Sequence, residues 1–247
     1  MPFLVLMLLV QPVLIAPLFD DVGPLQDKTL EAQILALAER AGIDAGRVFE
    51  VDKRADTDAV NAYVGGLFGT QRIVLWDTLL ARLEPQQVLV VMGHYVLGHV
   101  WTLLALLCVL ILATLSAVHR SLGDLLARFG HRFGFDTPSD IASLPLLMLL
   151  CSAFFLLAQP IALAYSRHIE READRFALEI TRENRAMATA FTILQDQHLV
   201  PPRPGPRYTL WRARHPAIAE RVAFANHDRP WARGGRLVSG RSFRDPP

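Results

Sequence analysis

Three long uncharged stretches constrain this chain more than any other feature of its sequence. They cover residues 1–19, 100–118 and 141–165, and none of them contains Asp, Glu, Lys or Arg. About 20 apolar residues in a helix are enough to span the hydrocarbon core of a bilayer. Charged residues still make up 20% of the whole chain, so polar segments must alternate with these stretches. The sequence therefore predicts a mainly α, integral membrane protein with three transmembrane helices and an aqueous part.

The first stretch could also be a secretory signal. It has no basic residue before its apolar run, and it is followed by Asp20 and Asp21 rather than by a small-residue cleavage site. We interpret it as a retained membrane helix. The two cysteines, Cys108 and Cys151, lie inside the other two stretches, where a thiol is usually a small apolar residue. We expect no disulfide framework.

The arginines predict how the spans are oriented. Three lie between the second and third stretches, whereas five directly follow the third: Arg167, Arg171, Arg175, Arg182 and Arg185. Loops on the cytoplasmic side of a membrane carry the excess of Lys and Arg. Residues 20–99 and 166–225 should therefore form a cytoplasmic domain in two halves, and residues 119–140 an outer loop. We expect a multi-pass protein of the cell inner membrane with a disordered tail over residues 226–247.

The aqueous segments carry the patterns of a small α+β domain. Alternating and helical periodicities predict an amphipathic helix over residues 25–41 and strands over residues 47–51, 61–68 and 72–76, the last two forming a β-hairpin. Glu84-Pro85 is typical of a helix start, because Pro is tolerated at the first helical position. The apolar pattern then runs without a break to His119. It predicts one rod that continues from the domain into the second span.

Two histidines lie on this predicted rod, in the string VLVVMGHYVLGHV at residues 88–100. A helix that binds catalytic zinc presents His-Glu-x-x-His, whose histidines share one face while the Glu activates the metal-bound water. His94 and His99 are five residues apart, about 140° around a helix, so they cannot share one zinc. Counted back from His94, the positions of the partner His and of the Glu hold Val90 and Val91. The string keeps one ligand and no general base.

The string resembles the metal helix of the integral-membrane zinc endopeptidases of the CAAX prenyl protease and HtpX type, which reads roughly VMGHEMGHYVLGH. Compared with that pattern, four residues are absent around Gly93. Removing four residues shortens a helix by about 6 Å and turns its flanks by only about 40°, so the fold can persist where the chemistry does not. The resemblance also implies further membrane helices upstream, which the sequence does not show, and a zincin-like cytoplasmic domain.

A second motif supports the same resemblance. The string SRHIEREADRF at residues 166–176 is similar to the Ser-Arg…Glu-x-x-Ala-Asp segment of that family. The resemblance implies that Glu170 is a zinc ligand and that Asp174 orients a ligand histidine. Composition alone favours a solvated helix start with Glu–Arg pairs one turn apart, and the resemblance favours the zinc-site interpretation.

Two further segments carry candidate substrate contacts. His215-Pro216 followed by Glu220-Arg221 is similar to the C-terminal segment of the family, which implies that His215 and Arg221 hold a substrate carbonyl or an oxyanion. The alternative is that His215 caps a surface helix and Arg221 is solvated. Asn61 and Tyr63 lie in a string that resembles the family's hairpin, whose edge strand can bind an extended peptide. The alternative is a structural hairpin that covers the core.

Two functions remain open at this point. One is a membrane-embedded zinc metalloendopeptidase with zinc on His94 and Glu170, acting on a peptide or a membrane-protein substrate. The other is a catalytically inactive homologue that binds peptides or partner proteins. With two ligands in place of three plus water, we expect weak zinc binding. We expect the lipid bilayer as a partner and no nucleic acid.

Overall fold

The computed structural model describes residues 21–40, 46–65, 72–95, 100–198 and 201–233. The strands are β1 (Val22–Pro24), β2 (Val48–Val51), β3 (Ala62–Gly65) and β4 (Arg72–Trp76). The α-helices are α1 (Lys28–Arg40), α2 (Asp77–Leu80), α3 (Pro85–Tyr95), α4 (Val100–Phe133), α5 (Leu144–Thr181), α6 (Asn184–His198), α7 (Pro206–Trp211) and α8 (Ile218–His227). The predicted span at residues 1–19 lies outside the described residues. The rest is mostly helical with one small sheet, as predicted.

The chain divides into two compact units. The first contains residues up to 98 together with 170–204 and the chain from 216 onward, and the second contains residues 99–169 and 205–215. Helix α5 is shared, because its apolar part belongs to the second unit and its charged C-terminal part to the first. The sheet, α1, α3, α6 and α8 build the first unit.

The sheet has four strands in the order β1-β2-β4-β3. Strand β2 runs parallel to β4, and β3 runs antiparallel to β4 with Ala62 opposite Leu75. The predicted hairpin is thus present as an antiparallel pair, although its connection, residues 66–71, lies outside the described residues. Strand β1, which the sequence patterns did not predict, pairs with β2. Strand β3 is left at one edge of the sheet.

Apolar residues from α1, α3 and the sheet form the main core of the first unit. Leu30 and Ile34 of α1 and Met92 of α3 are buried in it, together with Ile73 and Leu75 of β4. Local signals fix where both helices begin. The Asp27 carboxylate accepts hydrogen bonds from the N–H groups of Thr29 and Leu30, and the Gln87 side chain accepts one from the Glu84 N–H at 2.8 Å. Both satisfy backbone donors that the first helical turn leaves unpaired.

Two helices of the second unit are long and apolar enough to cross a membrane. They are α4 and α5, at the second and third predicted spans. Their large side chains remain outward-facing, with Leu112, Leu149 and Leu157 each 65% exposed. Such surfaces are stable in lipid and costly in water. Helix α3 ends at Tyr95 and α4 begins at Val100, so the join of the predicted rod, including His99, lies outside the described residues.

The predicted outer loop is shorter than residues 119–140. Helix α4 continues to Phe133 because Val118, Leu122 and Leu126 recur every four residues and are all buried. It ends at Gly134, whose positive φ of 79° suits a residue without a side chain. The charged residues between these apolar positions gave this segment the composition of a loop.

The first residues of the predicted disordered tail, from 226 to 233, lie in ordered elements. Asn226 and His227 complete α8, and a short 3-10 helix follows at Pro230–Arg233. Trp231 packs against a second buried cluster, built from residues of α3, α5, α6 and α8. One aromatic side chain thus orders a segment of low apolar content. Residues 234–247 lie outside the described residues.

Candidate functional site

The charged end of α5 carries two carboxylates that share one arginine of α8. Nε and Nη2 of Arg221 donate to Oδ2 and Oδ1 of Asp174 at 2.8 and 2.6 Å. Nη2 of Arg221 also lies 3.8 Å from Oε2 of Glu170. Paired N–H···O bonds of this kind are the strongest way for a guanidinium to hold a carboxylate. Glu170, Asp174 and Arg221 are hereafter called the carboxylate cluster.

The local sequence explains how the carboxylate cluster forms. Glu170 and Asp174 are four residues apart, which places both on one face of α5. Arg221 is aimed at that face by α8, whose C-terminal end is fixed by Asn184, since the Asn184 side chain donates to the Ala225 and Asp228 carbonyls. The guanidinium also lies over the ring of Phe191, 4.0 Å from its centroid, a stabilising cation–π geometry.

This geometry decides between the two interpretations of Arg221. Its side chain is only 11% exposed, so the solvated surface arginine is wrong. Nε and Nη2 of Arg221 donate within the protein, and the substrate contact expected of this residue stays a prediction. The solvated helix start is wrong for Glu170 and Asp174 as well, since both contact α8 and the Asp174 side chain is buried.

Helix α3 packs tightly against α5 at Gly93, the residue before His94. A Cβ atom placed on Gly93 would lie 3.0 Å from Cδ1 of Ile180 and 3.2 Å from Cα of Ala177. A side chain at this position would require the neighbouring atoms of α5 to shift by a few tenths of an ångström. The backbone of His94 lies in the last turn of α3, one residue after this contact; its side chain is outside the described part of the structure.

The two positions that precede His94 in a zinc motif are part of the core. Val90 is 1% exposed and Val91 is 8% exposed. Val91 packs in the main core, whereas Val90 packs in the second cluster with Ala177 and Phe191. Neither position offers a ligand atom or a base.

The described residues do not fit a catalytic zinc ion. Among them, no three His, Cys, Asp or Glu side chains lie together where they could hold a metal. The residues that align with the zinc motifs are His94 and Glu170, and a catalytic site needs three protein ligands and an open position for water. Oε2 of Glu170 also lies 3.8 Å from Nη2 of Arg221.

The hairpin residues lie at the edge of the sheet. Asn61 immediately precedes β3; its side-chain oxygen accepts from the Ala62 N–H at 2.9 Å and its carbonyl accepts from the Trp76 N–H at 3.1 Å. Tyr63, within β3, is half-buried. Ala62 is buried in the main core and Val64 packs against it. The strand therefore covers the core on one face and lies at one edge of the described sheet.

His215 belongs to the second unit and is exposed. It does not cap α8, because that helix begins at Ile218 with Ala217 at its N-cap and has no side-chain cap. The capping interpretation is therefore wrong.

The sequence indicated only an orienting role for Arg167, whose side chain is buried. Its Nη1 donates to the carbonyls of Thr209 and Ala213, each at 2.8 Å. The signal for such a role was available, because Arg167 is the first charged residue after a long uncharged stretch. A charge at that position needs either water or a polar partner.

Comparisons with known proteins agree with this architecture. The sequence pattern of Peptidase family M48 matches residues 24–229. An uncharacterized metalloprotease of Bacillus subtilis, YhfN, is 36% identical over 231 residues, which cover 92% of this chain and 54% of that protein. A CAAX prenyl protease 1 homolog of Dictyostelium discoideum is 33% identical over 220 residues, which cover 86% of this chain and 50% of that protein.

A solved structure is similar as well. The crystal structure of S. mikatae Ste24p superposes with a TM-score of 0.72 at 25% sequence identity, covering 91% of this chain and 56% of that one. The chain thus spans about half the length of the curated relatives that it matches.

Proposed function

Because the chain belongs to peptidase family M48, we propose that it keeps the scaffold of a membrane metalloprotease of the CAAX prenyl protease type but hydrolyses peptides poorly or not at all. The predicted family relationship is confirmed by the family match, the relatives and the structural neighbour. The family implies zinc as the cofactor. The proposal concerns what this chain does with an incomplete set of zinc motifs.

The observation that carries the proposal is the pair of buried valines before His94. A valine neither binds zinc nor accepts a proton, so the ligand and the base that these positions supply in a zinc motif are both lost. Loss of a general base alone typically costs a factor of about 10² to 10⁴ in rate. Weak zinc binding and activity near background follow from this loss.

Peptide binding does not require the metal. An extended peptide can add to the edge strand of a sheet through main-chain hydrogen bonds, and β3 is an edge strand of the described sheet. We propose Asn61 and Tyr63 as contacts for the bound peptide or membrane-protein segment. For His215, a substrate contact stays a prediction. Arg221 then acts as a positioning residue that holds Glu170 and Asp174.

A second candidate, an active zinc endopeptidase, is favoured by one observation. The carboxylate cluster is ordered, with Asp174 held by two short hydrogen bonds from Arg221. This is the geometry expected if the part of a zinc site on α5 is kept. If another group supplied the missing ligand and base, hydrolysis would depend on Glu170.

Zinc content and peptidase activity of the purified protein and of Glu170→Gln test the proposal. We expect zinc well below one ion per chain and the same low hydrolysis rate for both proteins, with or without a chelator. Peptide binding should persist in both and weaken in the double variant Asn61→Ala/Tyr63→Ala. Chelator-sensitive hydrolysis that disappears in Glu170→Gln would establish the second candidate instead.

A further inference from the structure

Helix α7 and the turn after it are bound to α5 by hydrogen bonds that side chains of α5 donate to backbone carbonyls. Nε2 of Gln159 donates to the Trp211 carbonyl at 3.0 Å, and Arg167 donates to the carbonyls of Thr209 and Ala213. Residues 205–215, hereafter the interfacial segment, belong to the same compact unit as this part of α5. Their position along α5 is therefore fixed.

That position is the boundary between lipid and water. Helix α5 carries no Asp, Glu, Lys or Arg from Leu144 to Ser166, and Arg167 is its first charged residue. Gln159 is eight residues earlier, which is about 12 Å deeper along the helix. The interfacial segment is thus attached across the depth at which a bilayer changes from hydrocarbon to headgroups.

The interfacial segment has the composition suited to that depth. Tyr208 and Leu210 are 47% and 46% exposed, and Trp211 is partly exposed. Aromatic side chains concentrate at membrane interfaces because they combine an apolar ring with a polar group. These side chains would be costly to expose to water and are suited to the region between acyl chains and headgroups.

The segment is also strongly basic. Arg207, Arg212 and Arg214 are exposed, and among the described residues none of the three forms an ion pair. The sequence has no Asp or Glu between Asp196 and Glu220. Three exposed guanidinium groups therefore have no carboxylate within residues 197–219 of the sequence. A guanidinium group binds phosphate through paired hydrogen bonds.

We propose that the interfacial segment binds the headgroups of anionic lipids, with Arg207, Arg212 and Arg214 contacting phosphates while Tyr208, Leu210 and Trp211 enter the membrane surface. An acidic peptide could also satisfy three arginines. The exposed apolar side chains and the attachment to an uncharged helix favour lipid. This inference goes beyond the proposed function and is independent of peptide hydrolysis.

Native mass spectrometry of the full chain, released from detergent with added phosphatidylglycerol or phosphatidylcholine, tests the proposal. Each arginine near an anionic surface contributes a factor of about five in affinity. We expect the intact protein to prefer phosphatidylglycerol by at least about tenfold. Arg207→Gln/Arg212→Gln/Arg214→Gln should lose most of this preference, and the corresponding triple substitution by Lys should keep part of it.

A matched control removes three other exposed arginines of the same unit. Arg120→Gln/Arg128→Gln/Arg132→Gln changes the charge of α4 by the same amount, in a segment that also contains Asp124 and Asp136. This variant should keep the lipid preference. Equal binding of the two lipids by the intact protein would overturn the proposal, even if the triple Gln variant failed to fold. It would also be overturned by equal losses in both triple variants, or by preferential binding of an oligoglutamate peptide over phosphatidylglycerol.

Discussion

Arg221 is the residue on which the arrangement of the two carboxylates depends. The Asp174 side chain is 3% exposed and receives two short bonds from Arg221. A buried carboxylate without its cation is expensive, because the desolvation cost remains after the attraction is gone. The bond joins residues that are 47 positions apart, so it also ties α8 to α5.

We expect Arg221→Met to destabilise the protein by about 3–5 kcal/mol, since it leaves Asp174 buried and unpaired by Arg221. The measurement is the thermal or denaturant midpoint of the detergent-solubilised protein. Arg171→Gln is the control, because the Arg171–Glu220 pair is exposed with a separation of 3.5 Å and such pairs contribute little. Equal effects of the two substitutions would contradict the assigned role of Arg221.

Gly93 gives a second prediction at the scale of a single residue. We expect Gly93→Ala to cost about 1–3 kcal/mol, because the new methyl group would meet the Ala177 backbone, which cannot move as a side-chain tip can. Gly123→Ala in α4 is the matched control. The new methyl group would have no atom of the described residues within 4 Å. The substitution should therefore be neutral or should stabilise the protein by up to about 1 kcal/mol. A stabilising Gly93→Ala would show that α3 and α5 are less closely packed than described.

Sequence reasoning could predict which residues share a face but not what lies opposite them. The spacing of Glu170 and Asp174 placed both on one side of a helix. Their partner, Arg221, is distant in the sequence, and only the packing of α8 on α6 brings it there. The close approach at Gly93 was missed for the same reason, since a glycine in an apolar run gives no sign of which helix it contacts.

At the scale of elements, the last turn of α3 decides whether the site can hold zinc. The second and third apolar spans and most strands were predictable because long apolar runs and alternation are local signals. The helical first part of the predicted outer loop and the ordering of Trp231 were not, since both depend on buried contacts that composition does not reveal. The absence of four residues around Gly93 could be recognised only because the rest of the string resembles a known zinc-binding helix.

Inserting His-Glu-Met-Gly between Gly93 and His94 should restore zinc binding. The inserted His would lie one turn before His94, and the inserted Glu would occupy the position of the base. Because the insertion follows Gly93, the contact of Gly93 with Ala177 is kept, and the flanks turn by only about 40° relative to each other. We expect near-stoichiometric zinc and chelator-sensitive hydrolysis of a peptide substrate.

Two control variants distinguish the effect of the added helical turn from the effect of recreating the His-Glu-x-x-His sequence. Insertion of His-Gln-Met-Gly should bind zinc without hydrolysis, because it lacks the base. The double substitution Val90→His/Val91→Glu also creates His-Glu-x-x-His with His94, but it places polar groups where both valines are buried. It should destabilise the protein by several kcal/mol and bind no zinc. If the double substitution worked and the insertion did not, the four-residue account would be wrong.

At the scale of the whole molecule, the membrane sets the environment of every other feature. The two apolar helices α4 and α5 expose large side chains along most of their length, which is stable only when lipid covers them. We expect the protein to stay in the membrane fraction after alkaline carbonate washing, because apolar spans do not leave lipid as peripheral proteins do. Recovery in the soluble fraction would contradict membrane insertion.

The proposed orientation follows from the arginines that come directly after the third span. In a background with Cys108 and Cys151 replaced by Ala, a cysteine at Ser139 should react with an impermeant maleimide in intact cells, since it lies in the connection between α4 and α5. A cysteine at Ser239 should react only after the membrane is opened, because the chain beyond Arg167 should remain on the side that carries the excess of positive charge. Both cysteines should react in detergent, which shows that each is chemically accessible.

The reverse labelling pattern in intact cells would place the carboxylate cluster and the interfacial segment on the outer side. The anionic lipid available to Arg207, Arg212 and Arg214 would then be that of the outer leaflet.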